Sequence, residues 1–328
     1  MKVFGLDIHD KYPKVYIEDT DKPLTKYGHN PGMRYTHFKI IGRGGKCVIK
    51  SCKDNLLNRI VAYKTLHEHL ADDEIEQKRF LREARVTAAL QHPNTIPIYE
   101  INLDRIEHYY FTMKLVHGYT TGGIIKQLRE NNEEFSIKYS MDTLLEIILQ
   151  SCNCLNYAHQ HGVIHRDIKP ENILTGTFGE VIVLDWGLAK VWNMPTESRE
   201  ITEETEIIDA TLTAGQSLQA TPIYMSPEQL DQSDILDHRT DIYGIGTVLY
   251  EMLTQQIFLK ANSLNDVFKQ VRDGSFIKPR ERAPDLFIPL ELEDICIKCL
   301  AVDPDQRYQS CEELIMDIRN FRLEKMGA

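Results

Sequence analysis

Four short stretches combine residue types that chemistry uses: "GRGG" (residues 42–45), "VAYK" (61–64), "HRDIKPEN" (165–172) and "LDWG" (184–187). The first has the glycine density of a phosphate-binding loop, because residues without a Cβ permit a tight turn and close backbone approach. Cys47 stands where a third glycine would be expected. Taken singly, each stretch has a plainer reading: a turn, a strand, a surface tripeptide. A fifth candidate, "CIKC" (Cys296 and Cys299), has the spacing of half a metal site. No second CxxC or His pair follows at suitable spacing, and both cysteines lie in the apolar periodicity of "LEDICIKCL", so they read as a core helix.

The elements around these stretches fall into two groups. From Tyr35 the pattern is strand-like in "YTHFKIIG", "CVIKSCKD" and "RIVAYKTL". A helix follows in "DEIEQKRFLREARVTAALQ", with Pro93 shortly beyond, and then two more strand candidates, "TIPIYEIN" and "YYFTMKLV". After "HGYTTGG" the character turns helical, beginning with "SMDTLLEIILQSCNCLNYAHQHG", which ends at Gly162. Short strands flank "HRDIKPENIL" and "EVIVLDWG". "GRGG" thus sits between two strands, as a hairpin loop does, and "HRDIKPEN" follows a long helix. Residues 192–220 are polar and rich in Thr and Glu, which suggests a mobile loop.

The whole chain of 328 residues is 42% hydrophobic and 27% charged, an ordinary globular composition with room for two lobes. A net charge of -11 argues against general affinity for nucleic acid or anionic membrane. The first residues carry acidic side chains from Asp7 onward and do not form a secretory signal. The longest apolar stretches are interrupted by Gly and Tyr and read as buried helices, so membrane insertion is not expected. Seven cysteines, an odd number, fit a reduced cytoplasmic compartment.

In order and context the motifs resemble the eukaryotic-like Ser/Thr protein kinases of bacteria, over roughly residues 35–320. "SPE" (226–228), "DIYGIG" around Asp241 and "DPDQRY" around Arg307 match later landmarks of that family. The resemblance implies an α+β fold of two lobes: a small five-stranded antiparallel sheet with one helix, and a larger, mainly helical lobe. It divides the chain into an extension (1–33), an N-lobe (34–113), a C-lobe (114–320) and a tail (321–328).

The resemblance also implies roles, residue by residue. Lys64 holds the α- and β-phosphates of ATP and needs a carboxylate partner, for which Glu83 in "FLREA" matches. Glu74 and Glu76 are rivals nearer the helix start and read as a solvated face. Asp167 orients the substrate hydroxyl and accepts its proton, and Lys169 steadies the γ-phosphate. Asn172 and Asp185 ligate Mg²⁺, with Mn²⁺ as an alternative. The nucleotide would meet Ile41, Gly42, Arg43, Gly44, Gly45, Ile49, Ala62, Met113, Lys114, Val116 and Leu174. The expected partners are proteins with Ser or Thr acceptors, and a homodimer is a candidate for trans-autophosphorylation.

Some positions depart from the family. Trp186 replaces the usual Phe, a packing variation, since Asp185 and Gly187 remain. Lys114 replaces a commonly acidic hinge residue. Cys47 reads as a tolerated small residue, with redox sensitivity as the sharper alternative. The segment from Asp185 to Glu228 is long. Within it Thr211, Thr213 or Ser217 would be phosphorylated and pair with Arg166, while Thr221 would bridge the catalytic Asp and Lys. Two other functions compete: a pseudokinase scaffold and a small-molecule phosphotransferase. The complete set of catalytic residues opposes the first, and the "SPE", Asp241 and Arg307 landmarks oppose the second.

Overall fold

The computed structural model describes residues 34–191, 222–231, 236–261 and 263–326. The chain divides into two compact units, one of residues 34–88 and 97–116, the other of residues 89–96 and 117–326.

The smaller unit is built on a five-stranded antiparallel sheet of order β1-β2-β3-β5-β4. Its strands are β1 (Tyr35–Arg43), β2 (Cys47–Asp54), β3 (Arg59–Leu66), β4 (Ile98–Leu103) and β5 (Tyr109–Met113). Side chains alternate between the two faces of the sheet, and β3 buries residues on both, Val61 and Tyr63 on one and Ala62 and Lys64 on the other. Val48 and Cys52 of β2 are buried as well. Tyr63 and Tyr110 stack at 4.4 Å, and Tyr35 meets both rings edge-on. The one long helix, α1 (Glu74–Ala89), starts where Asp73 accepts from the N–H groups of Ile75 and Glu76 at 2.9 and 3.1 Å. It packs Phe80 against Phe111 of β5, 4.9 Å between ring centroids.

The larger unit is mainly helical: α2 (Thr121–Arg129), α3 (Glu133–Lys138), α4 (Met141–Gln160), α5 (Pro227–Leu230), α6 (Arg239–Thr254), α7 (Leu264–Asp273), α8 (Pro279–Arg282), α9 (Leu290–Cys299) and α10 (Cys311–Met326). The long helix foreseen to end at Gly162 runs from its Ser140 cap to Gln160, and Gly162 follows in the left-handed region at φ 72°. Helix α6 is buried along its length, which makes it the axis of the unit. Cys296 and Cys299 are fully buried on α9, and Cys296 Sγ donates to the Gly246 carbonyl at 3.6 Å.

Short strands frame the loops between the helices. The strands β6 (Gly118–Thr120), β8 (Ile173–Gly176) and β9 (Val181–Val183) form one sheet, and β7 (Val163–Ile164) pairs with β10 (Lys190–Val191). The α+β class and the five-stranded sheet agree with the sequence reading. Strand β6 and helices α2 and α3 were not foreseen. Among the described residues no helix is long and apolar enough to cross a membrane.

Candidate active site

In the smaller unit, β3 delivers Lys64 to a buried position facing α1. Its register sets Lys64 opposite Ile49 on one side and Phe111 on the other. Lys64 Nζ lies 2.6 and 2.7 Å from the two carboxylate oxygens of Glu83 on α1. Both side chains are largely buried, 11% and 13% exposed, so each requires the other's charge.

One expectation on this helix is corrected. Glu74 is exposed, but Glu76 is not part of a solvated face. Its Oε1 accepts from Lys46 Nζ at 2.8 Å and from Arg79 Nη1 at 2.6 Å, and its side chain is 13% exposed. The partner sits on the glycine turn 30 residues away, a contact that local spacing does not reveal.

The glycine turn itself joins β1 to β2, closed by the Gly44 N–H donating to the Cys47 carbonyl at 2.9 Å. A Cβ added at Gly45 would meet nothing within 4 Å, and one at Gly44 would meet only the Cys47 oxygen at 3.8 Å. The chain's own packing therefore does not demand glycine there, and the open space suits close approach of a ligand. Gly42 pairs with Ile49, and Ala62 pairs with Met113 across β3 and β5. Ile41 and Arg43 are exposed on β1, Val116 is half-buried, and the Lys114 N–H donates to the Pro97 carbonyl at 3.0 Å.

In the larger unit the residues 165–172 gather around Asp167. Asp167 Oδ2 accepts from Lys169 Nζ at 2.7 Å and from Asn172 Nδ2 at 3.0 Å, while Oδ1 takes no hydrogen bond from the described residues. Burial raises the Asp167 pKa, the Lys169 ammonium opposes that rise, and the charge of Asp185 adds to it. The Asn172 amide also donates to the Asp167 carbonyl at 2.8 Å, which leaves its oxygen as the remaining acceptor. Asp185 is exposed in the left-handed region at φ 64°, and the Leu184 N–H beside it donates to the Asn172 carbonyl at 2.8 Å. Asn172 and Asp185 thus offer hard oxygens from adjoining strand ends, a donor set suited to a divalent cation. Leu174 is half-buried on β8, two residues beyond Asn172.

The loop is held from below by α6. Asp241, fully buried, accepts from the N–H groups of His165 and Arg166, both at 2.8 Å. His159 Nε2 reaches the same carboxylate at 2.8 Å, and Cys311 Sγ lies 3.8 Å from His159 Nδ1. Burial works against a charged His159, but Cys311 and Asp241 overcome it and raise its pKa to about 10. His165 Nδ1 accepts from the Asp167 N–H at 3.2 Å, so its Nε2 carries the proton donated to the Leu184 carbonyl at 2.9 Å. A Cβ at Gly244 would fall 2.7 Å from Ile168 Cβ, so close packing of α6 against the loop requires glycine there. Trp186 is fully buried against His165, 4.5 Å between ring centroids, and its indole donates to the Val183 carbonyl at 3.3 Å.

The "SPE" stretch joins this frame. Gln229 donates to the Arg166 carbonyl at 2.8 Å, and Glu228 is paired with Arg307 at 2.7 Å. His159, Cys311 and Gln229 were missed by sequence reasoning; only the nearness of His159 to "HRD" hinted at a role. Thr211, Thr213, Ser217 and Thr221, together with the extension 1–33, lie outside the described residues.

A lysine–glutamate pair on a sheet-and-helix unit, and an Asp-Lys-Asn loop seated on a buried Asp, define a class of protein. The chain belongs to the protein kinase domain family, whose model matches residues 35–317. It is similar to the serine/threonine-protein kinase PknD of Chlamydia pneumoniae, 36% identical over 296 residues, covering 88% of this chain and 31% of that protein. PknD of Protochlamydia amoebophila (strain UWE25) is 37% identical over 295 residues, covering 88% of this chain and 30% of that protein. The chain therefore spans less than a third of the length of these curated relatives.

Proposed function

We propose that the chain is an ATP-dependent serine/threonine protein kinase. One observation carries the reading: Lys169 and Asn172 hold one oxygen of Asp167, and among the described residues nothing donates to the other, which can accept a proton from a substrate hydroxyl. Its raised pKa keeps the proton affinity of that oxygen above that of an ordinary aspartate.

The other residues position and compensate charge. Lys64, steadied by Glu83, binds the phosphates next to the bond that breaks, and Lys169 steadies the group in transfer. The glycine turn of residues 42–45 approaches the phosphates from the backbone. Ile41, Arg43, Ile49, Ala62, Met113, Lys114, Val116 and Leu174 supply the remaining nucleotide contacts. Asn172 and Asp185 hold Mg²⁺ or Mn²⁺, which neutralises phosphate charge when bound. Thr211, Thr213 or Ser217 accepts phosphate in autophosphorylation, within a homodimer, and then pairs with Arg166. Thr221 bridges Asp167 and Lys169. The unbridged cysteines support a cytoplasmic setting.

The test is phosphate transfer from radiolabelled Mg-ATP to a generic basic protein. Asp167→Asn is expected to lower the rate about 10³-fold with nucleotide binding retained. Equal and negligible transfer by both proteins, with nucleotide still bound, would overturn the assignment. Loss of activity should also appear on the acid side at a pH above the ordinary aspartate range, because Asp167 must be ionised to act as base.

A further inference from the structure

The glycine turn is tied at two points to the elements that carry the Lys64–Glu83 pair. The first tie comes from β3. His67, just beyond its end, has Nε2 2.8 Å from the Gly44 carbonyl oxygen, and its own N–H donates to the Lys46 carbonyl at 2.8 Å. That side-chain bond needs a proton on Nε2, which the matching neutral tautomer and the imidazolium both carry. The His69 ring stacks on His67 at 5.6 Å and limits its rotation.

The second tie comes from α1. Glu76 grips Lys46 while Arg79 holds Glu76 from the helix side. Glu76 lies seven positions before Glu83 on α1, about two turns, so the two carboxylates project from one face. That face grips Lys64 with one carboxylate and Lys46 of the glycine turn with the other. A shift of α1 along or about its axis would disturb both contacts together.

We propose that His67 and Glu76 are positioning residues that hold the glycine turn in register with the Lys64–Glu83 pair. The proposal rests on the reading of that turn as the phosphate-binding loop. Neither side chain needs to touch the nucleotide. A turn that is already ordered loses less conformational freedom when phosphates bind, so the anchors act on affinity more than on the transfer step.

The experiment measures steady-state kinetics against Mg-ATP for Glu76→Ala, Glu76→Gln and His67→Ala. Glu76→Ala and His67→Ala are each expected to raise KM for ATP about three- to tenfold, the scale of one lost hydrogen bond or partly exposed ion pair. The kcat should stay within about twofold of wild type, as expected for lost uniform binding. Glu76→Gln, which keeps an acceptor for Lys46, should recover part of the loss. Glu74→Ala, which removes an exposed charge from the same turn of helix, should leave KM unchanged.

Hydrogen exchange on the nucleotide-free protein gives an independent readout. Amides of residues 43–47 should exchange faster in Glu76→Ala and His67→Ala than in wild type. An unchanged KM in both variants, or a lower melting temperature alone, would overturn the proposal. Should the wild type bind no nucleotide, the kinase reading fails, and the exchange rates alone then decide whether these residues anchor the turn.

Discussion

Two glutamates, one in each unit, are paired with cations in different ways. Lys64 presents one rotatable ammonium to both oxygens of Glu83. Arg307 presents a planar guanidinium whose side chain is 0% exposed and whose every N–H is engaged. Its Nη1 and Nη2 meet the two oxygens of Glu228 at 2.7 and 2.8 Å. Nε and the remaining η hydrogens go to the carbonyls of Ala301, Arg239 and Val302 at 2.7 to 3.1 Å. Thr240 adds a further hydrogen bond to Glu228 at 2.8 Å. A fork with five donors and five acceptors is fixed in every direction and keeps nothing in reserve for a ligand. An ammonium on a flexible stem can exchange one acceptor for another. The arginine pair is thus suited to scaffolding and the lysine pair to meeting a phosphate.

The largest effect that would break this contrast is on stability. Arg307→Ala strands a buried carboxylate and three carbonyls, with an expected loss of about 3–5 kcal/mol in urea unfolding. A loss below about 1 kcal/mol would show that the saturated pair is not structural. Burial alone would raise the Glu228 pKa, but the hydrogen bonds and charge of Arg307 lower it overall. The stability from this pair is therefore present above the usual carboxylate pKa and is lost as pH falls below it.

Lys64→Met should show the opposite balance. Removal of one preorganised charge at the phosphates is expected to lower kcat/KM about 10²-fold. The melting temperature should fall less than in Arg307→Ala, because that variant strands three backbone carbonyls in addition to its carboxylate. If the two variants lose stability equally while Lys64→Met keeps its rate, the lysine pair is scaffolding as well.

The parts of the site that were legible in the sequence are those packed into one short segment. Asp167, Lys169 and Asn172 lie within one loop, so their spacing alone brings them together. Strands β2 and β3 matched their expected limits because each is a run rich in β-branched, aromatic and other apolar residues, with β2 preceded by the glycine turn and the two separated by the turn at residues 55–58. Helix α2 was hidden by the Gly122–Gly123 pair in its first turn, beside the Thr120 cap. A Cβ at Gly122 would lie 3.1 Å from Glu171 Oε1, so the glycine answers to packing against the loop of residues 165–172 rather than to helix propensity. Contacts set by the fold were not legible. Lys46 reaches Glu76 across 30 residues, and His159 reaches Asp241 across 82. Nothing in local spacing marks such pairs.

A third buried glutamate sharpens the comparison, because among the described residues no cation is hydrogen-bonded to it and only the more distant charge of Arg129 acts on it. Glu251 on α6 is 4% exposed and, among the described residues, accepts only from the Tyr224 hydroxyl and the Phe258 N–H, both at 3.0 Å. Burial raises its pKa to about 7, against the pull of those two hydrogen bonds and with help from the charge of Glu171. The folded state thus holds this proton more tightly than the unfolded chain does. The resulting stability is complete below the ordinary value of 4.5 and is lost as pH rises through about 7. Glu251→Gln keeps an acceptor for both donors and imitates the protonated acid. At pH values above 7 the variant should be more stable than wild type, by on the order of 2 kcal/mol. Below the ordinary carboxylate range the two should converge. Melting profiles that stay parallel across the whole range would mean that Glu251 is as well compensated as Glu228, and that a cation is not what separates the two.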